Sequence, residues 1–95
     1  MIGKILVTKH CWERFQQRFE RYAARSRVER VARCAKPIWR KLKRRIEKYR
    51  RENDLKPIEW KDDCEYFVSM YRRAMWVVRY EGGQAILLTV WKFEC

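Results

Sequence analysis

His10, Arg14 and Arg18 are spaced four residues apart, and on a helix turning by about 100° per residue they share one face. Histidine gives and takes protons near neutrality, its ordinary pKa being about 6.5. A guanidinium grips phosphate with two parallel N–H bonds to two oxygens. Metal-free cleavage of a phosphodiester needs such groups together. A base takes the 2′-hydroxyl proton, cations stabilise the pentavalent phosphate, and an acid protonates the leaving oxygen. His10 therefore reads as general base or acid, with Arg14 and Arg18 on the phosphate. Thr89, an isolated hydroxyl in an apolar stretch, reads as a ligand to a nonbridging oxygen if its strand faces that ridge. The plainer alternatives are a packing or capping histidine, solvated arginines, and a threonine chosen for its strand propensity.

The element that must position these groups begins at Thr8, whose hydroxyl suits a helix N-cap. A helix from there to about Ala24 places Arg21 and Arg25 on the same ridge as His10. Cys11, Trp12, Phe15, Phe19 and Tyr22 form the neighbouring apolar face. The chemistry would thus ride on an amphipathic helix.

The chain of 95 residues allows one small domain spanning residues 1–95. An apolar share of 47% with 15% aromatics supports a real core rather than disorder. The 24 Lys and Arg against 12 Asp and Glu leave a formal charge of +12. The positive charge concentrates between Arg14 and Arg51, where Glu13, Glu20, Glu29, Glu47 and Glu52 are the only acids in or flanking the stretch. Such a field attracts polyanions, which makes RNA or another nucleic acid the expected partner. Cys11, Cys34, Cys64 and Cys95 show no ligand spacing, so no metal and no other cofactor is expected. The apolar run Ala85 to Trp91, broken by Thr89, is too short to span a bilayer. Ile5-Leu6-Val7 is likewise too short for a secretory leader. A cytoplasmic protein with reduced thiols and no membrane association is the expectation.

In chain order, Lys4 to Thr8 reads as a short strand followed by the first helix. Ser26 and Glu29 fit a capping box for a second helix, with Val28, Val31, Ala32 and Ala35 inward. Pro37 marks a kink or a new helix start. Ile38, Leu42, Ile46 and Tyr49 keep the helical period to about Arg51, and Arg40, Lys43, Arg44, Lys48 and Arg51 line the opposite side. After Asn53-Asp54 the period becomes two: an edge strand at Ile58–Trp60, then strands from Cys64 to Tyr71, Ala74 to Tyr80 and Gln84 to Phe93. Gly82-Gly83 is a strong hairpin signal, whereas Arg72-Arg73 suits a primed turn poorly. In the last strand Ile86, Leu88 and Val90 are expected to face the helices and Leu87, Thr89 and Trp91 to face away, although the reverse fits nearly as well. The class is α+β: a short N-terminal strand, two or three helices, then a three- to four-stranded antiparallel meander.

Thr8-Lys9-His10 after a short strand, Arg14 and Arg18 in the helix, and the threonine of Leu87-Leu88-Thr89-Val90-Trp91 together resemble a small bacterial and phage family. That family is similar to the RelE-like, barnase, EndoU and colicin RNase-toxin assembly, built as helices followed by a four-stranded sheet. The resemblance implies that His10, Arg14, Arg18 and Thr89 line an RNase-like site on or beside the sheet. The long basic helix from Ile38 to Arg51 and the extra tryptophans are departures from that pattern.

Two functions from different classes follow. One is a metal-independent endoribonuclease of toxin type, with Arg21, Arg25, Arg40, Lys43, Arg44, Lys48 and Arg51 gripping RNA and Trp91 stacking on a base. An acidic antitoxin protein masking the basic face would then be expected. The other is a non-catalytic nucleic-acid-binding protein, or an inhibitor-like binder of an acidic partner, using the same surface.

Overall fold

A computed structural model describes Met1 and residues 3–95. The elements are β1 (Lys4–Val7), α1 (Lys9–Arg18), α2 (Arg25–Arg33), β2 (Lys36–Pro37), α3 (Arg40–Glu52), β3 (Glu65–Ser69), β4 (Ala74–Glu81) and β5 (Gln84–Lys92). The α+β class is as the periodicity implies. The sheet has five strands in the order β1-β5-β4-β3-β2. The meander β3-β4-β5 is antiparallel, while β1 runs parallel to β5 and makes the sheet mixed.

Helices cover both faces of this sheet. On one side Cys11 and Phe15 of α1 and Val28 and Ala32 of α2 pack with Val7, Phe67, Trp76, Val78, Leu87 and Val90. On the other, Leu42 and Ile46 of α3 pack with Val68, Met75 and Phe93. A sheet apolar on both faces needs two layers of cover, which is why neither face of β5 reads as the solvent side.

Local chemistry fixes several boundaries. Thr8 caps α1, its hydroxyl accepting from the Cys11 N–H at 3.2 Å and donating to the Leu87 carbonyl at 2.6 Å. It ties the helix start to β5. Thr8→Ala should lower unfolding stability by about 1 kcal/mol, read as a lower urea midpoint at unchanged slope. No change would mean that the cap contributes nothing to folding.

α1 stops at Arg18, short of the span expected to Ala24. The indole N–H of Trp12 and the amide of Gln16 both donate to the Ala23 carbonyl, at 2.8 and 3.0 Å, folding residues 19–23 back on the helix. Arg21 and Arg25 therefore leave the ridge: Arg21 lies in the turn and Arg25 opens α2. The capping box at Ser26 is also not formed. Ala24 is the N-cap, without a side-chain bond, and Glu29 pairs with Arg33 at 2.9 Å instead.

Pro37 neither kinks a helix nor starts one; it sits in β2 at the sheet edge, where a residue without an N–H is tolerated. Ile58–Trp60 forms no strand, yet both side chains pack on the α3 cluster. Gly82 and Gly83, at φ +54° and +75°, make the two-residue β4–β5 turn. Glu81 pairs with Gln84 across it.

The facing of β5 differs from the expected alternation. Thr89 pairs with Val77, but Leu87 pairs with the next residue, Val78, so Leu88 is a bulge. A bulge places two residues against one and resets the strand's phase. Leu87 and Val90 thus share the α1/α2 side. Leu88, Thr89 and Trp91 line a cleft with α3 and β3 residues instead.

Candidate nucleic-acid interface

α3 is the most basic element, and its wheel separates cleanly. Leu42 and Ile46 are buried, whereas Arg40, Lys41, Arg44, Arg45, Lys48 and Arg51 are exposed. Only Lys48 of that row has a carboxylate within 4 Å among the described residues, Glu52 at 3.9 Å. Such an exposed pair holds little energy. Lys43 departs from the expected row: it is half-buried, its ammonium 4.6 Å from the Trp60 ring centroid. The first turn contains no acid and three cations, Arg40, Lys41 and Lys43, and the N-cap Trp39 makes no side-chain bond. Cations at the positive end of a helix oppose its dipole, each by about 0.3–1 kcal/mol when exposed. A bound anion would relieve that repulsion.

At the C-terminal end of α3, Arg50 borders a cleft of about 330 Å³ on the α3 side of the sheet. Val77, Leu88, Thr89, Tyr66 and Trp91 line it, and its other charged residues are the cations Lys61 and Arg79 and the acid Glu59. Arg50 is oriented by donating to the Lys56 carbonyl at 2.7 Å, and Arg79 by Asp63 at 3.1 Å. Thr89 and Trp91 are half-buried. Leu6, on this side of β1, is exposed. α3 therefore leaves part of this sheet face uncovered. The Cys64 thiol in the same cleft is pushed up by burial first and then by the charge of Asp63, which keeps it protonated and unreactive. Cys11, sealed under α1, is pushed up to about 12 by burial.

The structure does not bring His10, Arg14, Arg18 and Thr89 together. His10 is exposed and makes no hydrogen bond or ion pair among the described residues. Arg14 donates to the Gln17 side chain at 2.8 Å. Arg18 reaches the Val90 carbonyl at 3.0 Å and lines a separate cleft with Arg72, Arg73 and Lys92. Thr89 lies in the α3-side cleft, to which no α1 residue contributes. Its neighbour Val90 points to the opposite side, into the α1/α2 core. The Leu88 bulge turns the threonine away from the ridge.

The other candidates are distributed likewise. Arg21 stacks over Tyr22 at 5.3 Å and Arg25 over Trp12 at 4.9 Å, so both serve the α1–α2 corner. Arg40, Arg44, Lys48 and Arg51 share the α3 surface, with Trp91 in the cleft beside Arg50. Arg50, Lys61 and Arg79 are cations of this interface that periodicity alone did not single out. Arg50 sits between the basic and apolar arcs of its helix, and the other two lie outside it.

Glu20 is the hub of the α1–α2 corner. Arg27 donates to it through two nitrogens, at 3.1 Å each, and the Tyr71 hydroxyl donates at 3.0 Å. The Arg27 hydrogen bonds, ahead of that from Tyr71, hold the Glu20 carboxyl below the usual carboxylate range despite partial burial. A depressed folded pKa adds stability above the unfolded value, about 4.3, and that stability is lost as pH falls through the folded one. Glu20→Gln should therefore flatten the acid limb of the stability–pH curve. An unchanged limb would show that this corner is not coupled to folding. The chain matches no protein-family model, no curated protein and no solved structure.

Proposed function

We propose that this protein binds single-stranded RNA without cleaving it, the exposed cations of α3 following the phosphates and the Thr89–Trp91 cleft taking a base. The observation that carries this reading is the row Arg40, Arg44, Lys48 and Arg51, exposed along one helix with a single weak acid partner among the described residues. From the first to the last of these the axis advances by about 17 Å, room for several phosphates of an extended strand. The adjoining cleft favours a single strand over a duplex. A splayed base can stack on Trp91 or Tyr66, with Thr89 offering a hydroxyl, whereas paired bases cannot enter.

The separation of His10 from Thr89 favours binding over catalysis. Anisotropy of a labelled single-stranded RNA in EDTA should show affinity falling steeply with salt and the strand intact after incubation. Affinity indifferent to salt would remove the electrostatic basis of this reading. Strands ending in 2′,3′-cyclic phosphate, no longer formed after His10→Ala, would restore the endoribonuclease of toxin type.

A further inference from the structure

A second basic cleft, of about 360 Å³, lies where the end of α1 meets the β3–β4 connection and the end of β5. Arg18, Phe19, Arg72, Arg73 and Lys92 line it. No lining residue is acidic, and the carboxylate paired with one of them, Glu94, stands 3.7 Å from Arg73 with both side chains about half exposed. Two guanidinium groups are aimed by backbone carbonyls: Arg18 donates to Val90, and Arg72 to Phe19 at the C-cap of α1. A guanidinium has five donors, so each keeps N–H groups for a ligand.

The backbone here is unusual for its residues. Arg72 and Arg73 have φ of +52° and +55°, the left-handed region that favours glycine or asparagine. The loop is pinned on both flanks, by the Phe93 N–H donating to the Arg73 carbonyl at 2.9 Å and by the Tyr71 hydroxyl donating to Glu20. Two arginines thus occupy positions where a hairpin would take smaller residues, and both line the cleft. Strain retained at such positions points to use rather than to folding.

We propose that this cleft binds a terminal phosphate, a phosphomonoester dianion carried on the end of a nucleic-acid strand or free in solution. Four cations match a charge near −2 better than the single charge of a phosphodiester. A concave cleft also admits a group with a free end, whereas a continuous backbone suits the open row on α3. The assignment stands independently of RNA binding by α3.

The variant Arg72→Gly/Arg73→Gly removes both guanidinium groups and supplies the residue that the turn conformation prefers, so the fold is kept. Lys92→Gln is the second variant. Single-stranded oligonucleotides with a 5′- or 3′-phosphate or with hydroxyl ends would be compared by anisotropy. Inorganic phosphate would be titrated against chloride of equal ionic strength, following the arginine Nε–H resonances. A terminal phosphate should tighten binding about tenfold in the parent and in neither variant, and phosphate should shift the Nε–H signals of Arg18, Arg72 and Arg73. Shifted signals with no preference among strand ends identify the ligand as a free phosphate. Equal binding of all strands, with signals that phosphate leaves unmoved, would overturn the proposal and leave the α3 surface intact. Strands that do not bind at all, with signals that move, would overturn RNA binding and leave this cleft as assigned.

Discussion

Replacing Arg40, Arg44, Lys48 and Arg51 together by Gln should weaken single-stranded RNA binding by roughly two orders of magnitude at about 0.15 M salt. Each phosphate contact on a single strand contributes about 0.7 to the slope of log affinity against log salt, so four lost contacts should flatten it by about 3. The fold should survive. All four side chains are exposed, Gln is nearly as good a helix former, and only the weak Lys48–Glu52 pair is lost. Removing four like charges also lowers self-repulsion in a chain of formal charge +12. An unchanged slope in a folded variant would move the RNA contact off α3.

The largest effect on stability should come from Trp76→Ala. Trp76 is fully buried, stacks with Phe15 at 5.8 Å between ring centroids, and donates its indole N–H to Ser69 at 2.9 Å. Truncation should cost about 3–5 kcal/mol from the lost packing and the cavity. The Ser69 hydroxyl would be left buried without its partner, a further cost. For a domain of this size total stability is on the order of 5–14 kcal/mol, so the variant should stand close to unfolding. Urea unfolding followed by circular dichroism measures this. A loss below about 1 kcal/mol would mean that Trp76 does not anchor the α1/α2 layer to the sheet.

Where each residue's local preference agreed with its neighbours, the fold was legible in the letters. Thr8 before an amphipathic run, Gly82-Gly83 between alternating stretches, and Leu42 with Ile46 in a basic helix each have a single reading, and the structure has it. The end of α1 was hidden because Phe19 and Tyr22 continue the apolar arc. What stops the helix is the capture of the Ala23 carbonyl by Trp12 and Gln16, a tertiary event. Pro37 punctuates a helix as readily as it ends a sheet edge, and only pairing with Phe67 decides between them.

The candidate site divided in the same way. On α3 the exposure of Arg40, Arg44, Lys48 and Arg51 follows from the helical period, whereas Lys43 is drawn against the Trp60 ring. The position of Thr89 depends on one bulged residue in a strand apolar on both faces, and no letter marks it. Arg72-Arg73 do not form the tight two-residue turn: β3 ends at Ser69, which pairs with Ala74, so residues 70–73 make a longer connection with both arginines at positive φ. Their poor fit to a primed turn left only the register open, and the cleft they line with Arg18 and Lys92 depends on tertiary placement.

Photocrosslinking locates a bound strand on the protein surface. A single-stranded RNA carrying a photoreactive uridine would be bound in EDTA, irradiated, and the protein digested and mapped by mass spectrometry. Base adducts should fall on Trp91 or Tyr66, in the cleft beside Arg50. Adducts confined to the stretch from His10 to Arg25 would instead return the nucleic-acid site to the α1 ridge, away from α3 and the open sheet face.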